Sequence, residues 1–326
     1  MAGTGPDGRQ QGRRGQRYAA AAGSLRARMV SRIVAGGGLT DPAWRAAFEE
    51  VPRDLFVLDD EGGYEDGYDD GYEDEPAGGG GGDGGGYAGF DGWSGRRLAA
   101  AYEDRPIATR VVGGELVSSS SQPSLMALMC QALDVHGGER VLEIGAGTGY
   151  NAALLAHRLG PGTVTTIDLE PEITAAARAH LDAYGTEAAR SVAVVTGDGA
   201  LGHPPRAPYD RIMATCELPG VPAAWLEQCV PGGLALLPLA AGLVALTVHG
   251  PGRAEGRFLP TPAYFVPLRG ASGAPAGTPE HGLAVSVFGR ASAADRTRYG
   301  LTVDGPDQWI WRDRPDGPHT WPIAGT

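Results

Sequence analysis

The sequence predicts an α/β fold, a doubly wound, mostly parallel sheet with helices on both faces. From about Ala99 to His249, short β-branched runs alternate with Ala- and Leu-rich stretches of helical spacing. That is the pattern of repeated β-α units. Inside this stretch, glycines 145, 147 and 149 sit between a strand and a helix. Of the 326 residues, 42% are apolar, which is enough to bury a sizeable core.

Residues 1–23 are rich in Gly, Arg and Gln with few large apolar side chains, and are expected to be a disordered tail. Residues 24–58 are expected to form an N-terminal helical segment. Leu25, Met29 and Ile33, then Trp44, Ala47, Phe48 and Val51, can line apolar faces. Asp41 before Pro42 supplies a helix N-cap followed by a first-turn proline, and the helix should end near Val51-Pro52.

Residues 59–97 are expected to be an acidic, Tyr/Gly-rich insert of low complexity. Residues 59–91 hold twelve of the 39 acids and no base. The remaining 27 acids balance the 27 bases, so the net charge of −12 belongs to this one segment. Tyr64, Tyr68 and Tyr72 recur every four residues, but the glycines after them argue against a helix forming alone. Too little apolar surface is available to offset ordering entropy, so a flexible solvated loop is expected. A docking strip for a basic partner is the alternative.

The core is expected over 98–249. Strands are read at Arg140–Ile144, Thr163–Asp168, Ser191–Thr196, Arg211–Thr215 and Leu234–Leu239. Helices are read at Tyr150–Leu159, Pro171–Tyr184 and Val221–Gln228. Residues 250–326 read as a Pro/Gly-rich linker to about 282, then a small β-rich C-terminal extension. In it Leu283, Val285 and Val287 alternate, as do Leu301 and Val303, and Trp309 and Trp311. Gly305-Pro306-Asp307 is a turn between the last two runs.

Several classes are excluded by composition. Every basic residue is Arg, so Schiff-base, P-loop and general-base lysine mechanisms are ruled out. No basic stripe marks a nucleic-acid partner. Cys130, Cys216 and Cys229 form no CxxC pair, against a disulfide framework or zinc ribbon. His136, His157, His180 and His203 lack ligand spacing, so no metal is expected. No apolar run reaches the roughly 18–20 residues of a membrane helix, and no h-region is visible near the start. No membrane partner and a cytoplasmic location are expected.

The informative stretch is Val141-Leu-Glu-Ile-Gly-Ala-Gly-Thr-Gly-Tyr150. Its glycines fall as G-x-G-x-G, so the dinucleotide pattern G-x-G-x-x-G is not met. Glu143, just before the loop, would repel a pyrophosphate. It suits a ligand with an ammonium group, such as the methionine part of S-adenosylmethionine. Asp168 ends the next strand and can accept from both ribose hydroxyls; capping the following helix is its alternative role. Asp198, in Gly197-Asp198-Gly199 after the third strand, is placed to accept from an adenine amino group, with Gly199 allowing close approach. Candidate cofactor contacts are therefore Glu143, Gly145, Ala146, Gly147, Gly149, Tyr150, Asp168, Leu169, Asp198 and Gly199. Each clue alone also has a plain structural reading; in this order, each at a strand end, they point to a bound nucleoside.

This arrangement resembles a Rossmann-like class I S-adenosylmethionine-dependent methyltransferase. Further motifs are similar to the protein-L-isoaspartate O-methyltransferase family. They are Val51-Pro-Arg-Asp-Leu-Phe-Val57, Ala101-Tyr-Glu-Asp-Arg-Pro106, Ser121-Gln122-Pro123, Pro208-Tyr-Asp-Arg-Ile212 and the run from Leu226 to Pro238. The resemblance covers about residues 28–58 and 98–249. It implies that Ser121 orients the acceptor carboxylate, with Ser119, Ser120 and Gln122 lining the same loop between cofactor and substrate as further cofactor contacts. From the residues alone, Ser121 could equally cap the helix after Pro123. The implied reaction is esterification of an isoaspartyl or aspartyl carboxylate in a protein or peptide, followed by closure to a succinimide (aspartimide).

Three departures stand out. The acidic tract separates the VPR and A-Y-x-D segments, the tail is long, and Glu217 follows the fourth core strand, where it is expected to alter the substrate pocket. Long-tailed relatives resemble enzymes that mature a ribosomally made peptide at one Asp, so a dedicated precursor peptide is the alternative partner. A catalytically inactive nucleoside-binding protein is a third possibility, against which the full set Ser121, Glu143, Asp168 and Asp198 counts.

Overall fold

The computed structural model describes residues 6–58, 92–270, 287–288 and 292–323. The bulk of the acidic tract, with Tyr64, Tyr68 and Tyr72, lies outside them, as do Leu283 and Val285.

The chain opens with α1 (Pro6–Ala35), α2 (Pro42–Glu50) and α3 (Arg53–Val57). The expected tail at 1–23 is thus corrected from Pro6 onward. The reason is visible in the packing: Ala22, Leu25, Met29, Val30 and Ile33 form one buried stripe on α1, at the three- and four-residue spacing of a helix face. Tyr18 adds a tertiary tie, its hydroxyl donating to Asp54 Oδ2 at 2.9 Å. α2 begins as its sequence indicates, with Asp41 Oδ1 accepting from Ala43 N at 2.7 Å and Pro42 in the first turn.

After the tract comes α4 (Gly92–Ala101), so the low-complexity assignment fails over its last residues. Leu98 and Ala101 are buried against the core, which fixes the helix. The hairpin β1 (Ile107–Val112) and β2 (Glu115–Ser120) forms a separate two-stranded sheet. It leads into α5 (Pro123–Ala132).

The α/β core follows in the expected order. It comprises β3 (Val141–Ile144), α6 (Tyr150–Leu159), β4 (Val164–Asp168), α7 (Pro171–Tyr184), α8 (Glu187–Arg190), β5 (Ala193–Thr196), β6 (Tyr209–Ala214), α9 (Ala223–Gln228) and β7 (Cys229–Leu239). The chain continues through β8 (Gly242–Gly250), β9 (Arg253–Pro262), β10 (Tyr299–Asp304), β11 (Asp307–Arg312) and β12 (Thr320–Ile323). All ten strands from β3 onward form one sheet, in the order β12-β11-β10-β9-β8-β7-β6-β3-β4-β5.

The sheet is mixed. Strands β3 to β7 pair in parallel, and β7 to β12 pair antiparallel. The extension is therefore not a separate β unit. It lengthens the main sheet, and Leu301, Val303 and Ile310 share one buried cluster with Leu142 and Ile144 of β3. Trp311 belongs to this core, 2% exposed. Val287, expected in a strand, lies instead in a helical turn with Phe288, whose ring stacks edge-on against Phe258 and Tyr299. Among the described residues, no helix is long and apolar enough to cross a membrane.

Candidate active site

Strand order reverses between β3 and β6, which are neighbours in the sheet. In open α/β sheets the crevice beyond the carboxyl ends of such strands is the ligand site. A cleft of about 830 Å³, counting the space at its open mouth, lies there.

The loop after β3 is shaped by glycine. Gly145, Gly147 and Gly149 all have positive φ, and a Cβ on Gly145 would stand 2.6 Å from Thr215 Oγ1. That hydroxyl donates to the Gly145 carbonyl at 3.0 Å, locking the loop to the end of β6. Asp168, ending β4, holds the same loop from the other side. Its Oδ2 accepts from Gly147 N at 3.1 Å and its Oδ1 from Leu169 N at 2.9 Å. Burial pushes the Asp168 carboxyl up, opposed by those backbone donors.

Glu143 is fully buried, one strand position before the loop. Oε1 accepts from Asn151 Nδ2 at 2.7 Å. Oε2 has no hydrogen-bond partner among the described residues. Burial pushes this carboxyl up to about 7, against the pull of neighbouring Thr166 and Asn151. A buried carboxylate oxygen left unpaired in a cleft is costly unless something donates to it.

The serine run forms the opposite wall. It is placed by Arg53, which has no solvent exposure. Its guanidinium donates to the carbonyls of Ala101 (2.7 Å), Glu103 (3.4 Å), Arg105 (3.4 Å), Ser120 (3.4 Å) and Ser121 (3.1 Å). The VPR segment, the A-Y-x-D segment and the serine loop thus meet on one side chain, although the acidic tract separates the first two in sequence. Asp54 accepts from the Tyr102 hydroxyl beside it. Asp104 accepts from Ser124 N at 2.8 Å and Gln122 Nε2 at 3.3 Å, capping α5. Ser121 is therefore not the helix cap. Its hydroxyl has no hydrogen-bond partner among the described residues, and it faces the cleft.

The cleft is lined by Ser119, Ser120, Ser121, Glu143, Gly145, Ala146, Gly147, Tyr150, Asp168, Leu169 and Gly199 among the expected contacts. Three expected contacts are not part of its lining. Gly149 is the N-cap of α6, and a Cβ on it would meet Ala177 O at 3.1 Å. Gln122 lies on a neighbouring cavity. Asp198 accepts from Ala200 N at 2.9 Å, starting a short 3-10 turn. Glu217 does not line the cleft either; its Oε1 accepts from Ala241 N at 3.2 Å, supporting the turn between β7 and β8. No group of His, Cys, Asp and Glu that could hold a metal occurs among the described residues.

Sequence reasoning missed the strap that closes the cleft. Val266, Pro267, Leu268 and Arg269 line it, from a stretch read as linker. Glu217 N donates to Val266 O at 2.9 Å and Leu268 N to Glu217 O at 2.8 Å. Arg269 pairs with Glu170, which also pairs with Arg110 Nε at 3.1 Å. The apolar run Phe265-Val266-Pro267-Leu268, isolated in a Pro/Gly-rich stretch, was its signal.

This geometry has known relatives. The family description Protein-L-isoaspartate(D-aspartate) O-methyltransferase matches residues 94–251. Protein-L-isoaspartate O-methyltransferase 1 of Anaeromyxobacter sp. (strain Fw109-5) is 37% identical over 249 residues, 75% of this chain and 96% of its own. The chain belongs to the protein-L-isoaspartate O-methyltransferase family. The family's enzyme from Hyperthermus butylicus is 32% identical, over 76% of this chain and 90% of its own. A solved protein-L-isoaspartate O-methyltransferase shares the fold with a TM-score of 0.58 and 20% identity, over 92% of this chain and 88% of its own. A putative family member from Plasmodium falciparum, solved with S-adenosyl-L-homocysteine, gives a TM-score of 0.53 at 13% identity, over 76% of this chain and 98% of its own. Family membership makes the chain an S-adenosylmethionine-dependent methyltransferase.

Proposed function

We propose that this chain transfers a methyl group from S-adenosylmethionine to the free carboxylate of an isoaspartyl residue in a polypeptide. The observation that carries this is the meeting of two walls in one cleft. One is acidic, with the unpaired Glu143 Oε2 and Asp168; the other carries the open Ser121 hydroxyl. The donor set suits the cofactor's chemistry. Buried carboxylates oppose a pyrophosphate and favour an ammonium group and ribose hydroxyls. When bound, S-adenosylmethionine supplies a methyl group already activated on a sulfonium.

In this reading Glu143 and Asp168 hold the cofactor, and Gly145, Gly147 and Gly199 allow its close approach. Residues 98–249 and the strap at 266–269 carry the site, and 24–58 support it through Arg53. The acceptor carboxylate, pKa about 4, is ionised at pH 7 and needs no general base. Ser121 orients it by donating a hydrogen bond, and the strap at 266–269 limits water. Placement and partial desolvation are the chain's main contributions. The ester is then attacked by the next backbone nitrogen, which loses its proton and expels methanol as the succinimide closes, and the succinimide hydrolyses to Asp or isoAsp.

General repair is favoured over a dedicated precursor peptide. The long tail was the main argument for the latter. Yet the fold match to a solved family member spans a share of this chain that has to include most of the extension.

Binding and transfer separate in one experiment. Asp168→Ala should weaken S-adenosylmethionine binding at least tenfold in calorimetry, about the loss of one charge-assisted hydrogen bond. Ser121→Ala should bind normally and transfer methyl to an isoaspartyl peptide more slowly. Equal binding and equal rates for both variants would show the site to be elsewhere.

A further inference from the structure

A second cavity, about 2,140 Å³ with its open space, adjoins the cofactor cleft. The two share Ser119, Ser121 and Val266 in their linings. The second cavity lies between the end of α1, the start of α5 and the strand-to-strap segment Thr261–Val266. Gly36, Gly37 and Gly38 form a wall without side chains, and Gly37 has nothing within 4 Å of where a Cβ would stand. Tyr264, 74% exposed, projects on the other side.

Two charged side chains line this cavity, Arg32 and Asp104. Asp104 is already engaged by Ser124 N and Gln122. Arg32 is exposed in the last turn of α1 and has no ion-pair partner among the described residues. An acceptor carboxylate placed at Ser121 has to belong to a chain that continues away from the cofactor, and this cavity is the space continuous with that point.

We infer that the second cavity seats the polypeptide flanking the acceptor, and that Arg32 makes it read charge, favouring an acidic residue near the isoaspartyl position. The inference rests on the acceptor class proposed above. Continuity at Ser119, Ser121 and Val266 selects the occupant. The exposed guanidinium sets its preference, because an exposed cation attracts a nearby carboxylate and repels a basic side chain. Tyr264 offers the flanking chain an amphipathic ring that needs no particular sequence.

The test uses the full chain, S-adenosylmethionine and isoaspartyl peptides carrying a single Glu, Gln or Arg at successive positions on either side. Methyl transfer is followed with kcat and KM determined separately. At one or more positions the Glu peptide should exceed the Arg peptide about fivefold in kcat/KM, mainly through KM, an effect of the size expected for an exposed ion pair. Arg32→Glu should reverse the order, and Arg32→Gln should abolish it. Methylation of all peptides with no charge preference would overturn this inference alone. No methylation of any isoaspartyl peptide would overturn the acceptor class with it. The chain's own acidic residues 59–91 are the competing occupant. In that case Arg32→Glu would raise kcat/KM for every peptide alike, which would also overturn the inference.

Discussion

Arg53 and Glu143 are two buried charges with opposite solutions. Arg53 is surrounded by five carbonyls and the Ser120 hydroxyl, so its charge is distributed over six acceptors. Glu143 has one donor and one bare oxygen, so burial pushes its carboxyl up. In the fold this carboxyl titrates near 7, against 4.5 for the free side chain. Between those values the folded state holds a proton that the unfolded chain has lost. Stability of the cofactor-free protein should therefore fall as pH rises through that window, by up to about 1.4 kcal/mol per pH unit, and level off above it. Glu143→Gln should remove that slope. Thermal melts at pH 5 and pH 8 read it directly; parallel melting shifts in both proteins would refute it. The acid at position 143 was legible in the sequence because a carboxylate before a glycine loop opposes a pyrophosphate and suits an ammonium group. Arg53 was legible only as part of a motif. Its partners come from residues 101–121, and no local pattern announces a contact that spans an insert.

Among the elements, those with strong periodicity read well and those stabilised from a distance did not. The core helices at 150–159 and 171–184 are fixed by apolar spacing within their own residues and stop at Gly160 and Gly185. The N-terminal half of α1 reads as polar tail because its anchors, such as Asp54 for Tyr18, lie elsewhere. The strap at 266–269 has no ladder of its own and borrows the Glu217 backbone. Its grip on the cleft is concentrated in Arg269, which is half-buried against Glu170. Arg269→Ala should loosen that wall and leave Glu170 held by Arg110 alone. KM for S-adenosylmethionine should rise several-fold, as expected for about 1 kcal/mol of a partly buried pair, with kcat changed less. Steady-state kinetics with varied cofactor decide it, and an unchanged KM would show the strap to be passive.

For the whole molecule, the fold class was legible from the β-α alternation, but the unity of the sheet was not. Alternating Leu301 and Val303 identify strands; they do not say which edge those strands join. They join β9, which itself lies along β8. Leu246, Val248, Ala254, Phe258 and Ile310 are buried together with Leu142 and Ile144, so the extension covers core that would otherwise face water. A chain ending at Gly250 should lose the cooperative melt of the full protein, since burial of each such side chain is worth about 1.5–3 kcal/mol. Differential scanning calorimetry of the truncated chain checks this, and a melt within a few degrees of the full chain would show that the core does without the extension.

The two cavities that meet at Ser119, Ser121 and Val266 bear on traffic as well as chemistry. On the seats proposed above, cofactor and polypeptide occupy different cavities and meet only at that junction. The polypeptide's seat is then not made by the cofactor, so either partner can bind first. An enzyme meeting damaged chains of every size gains from this, because a bulky substrate at one door does not shut the other.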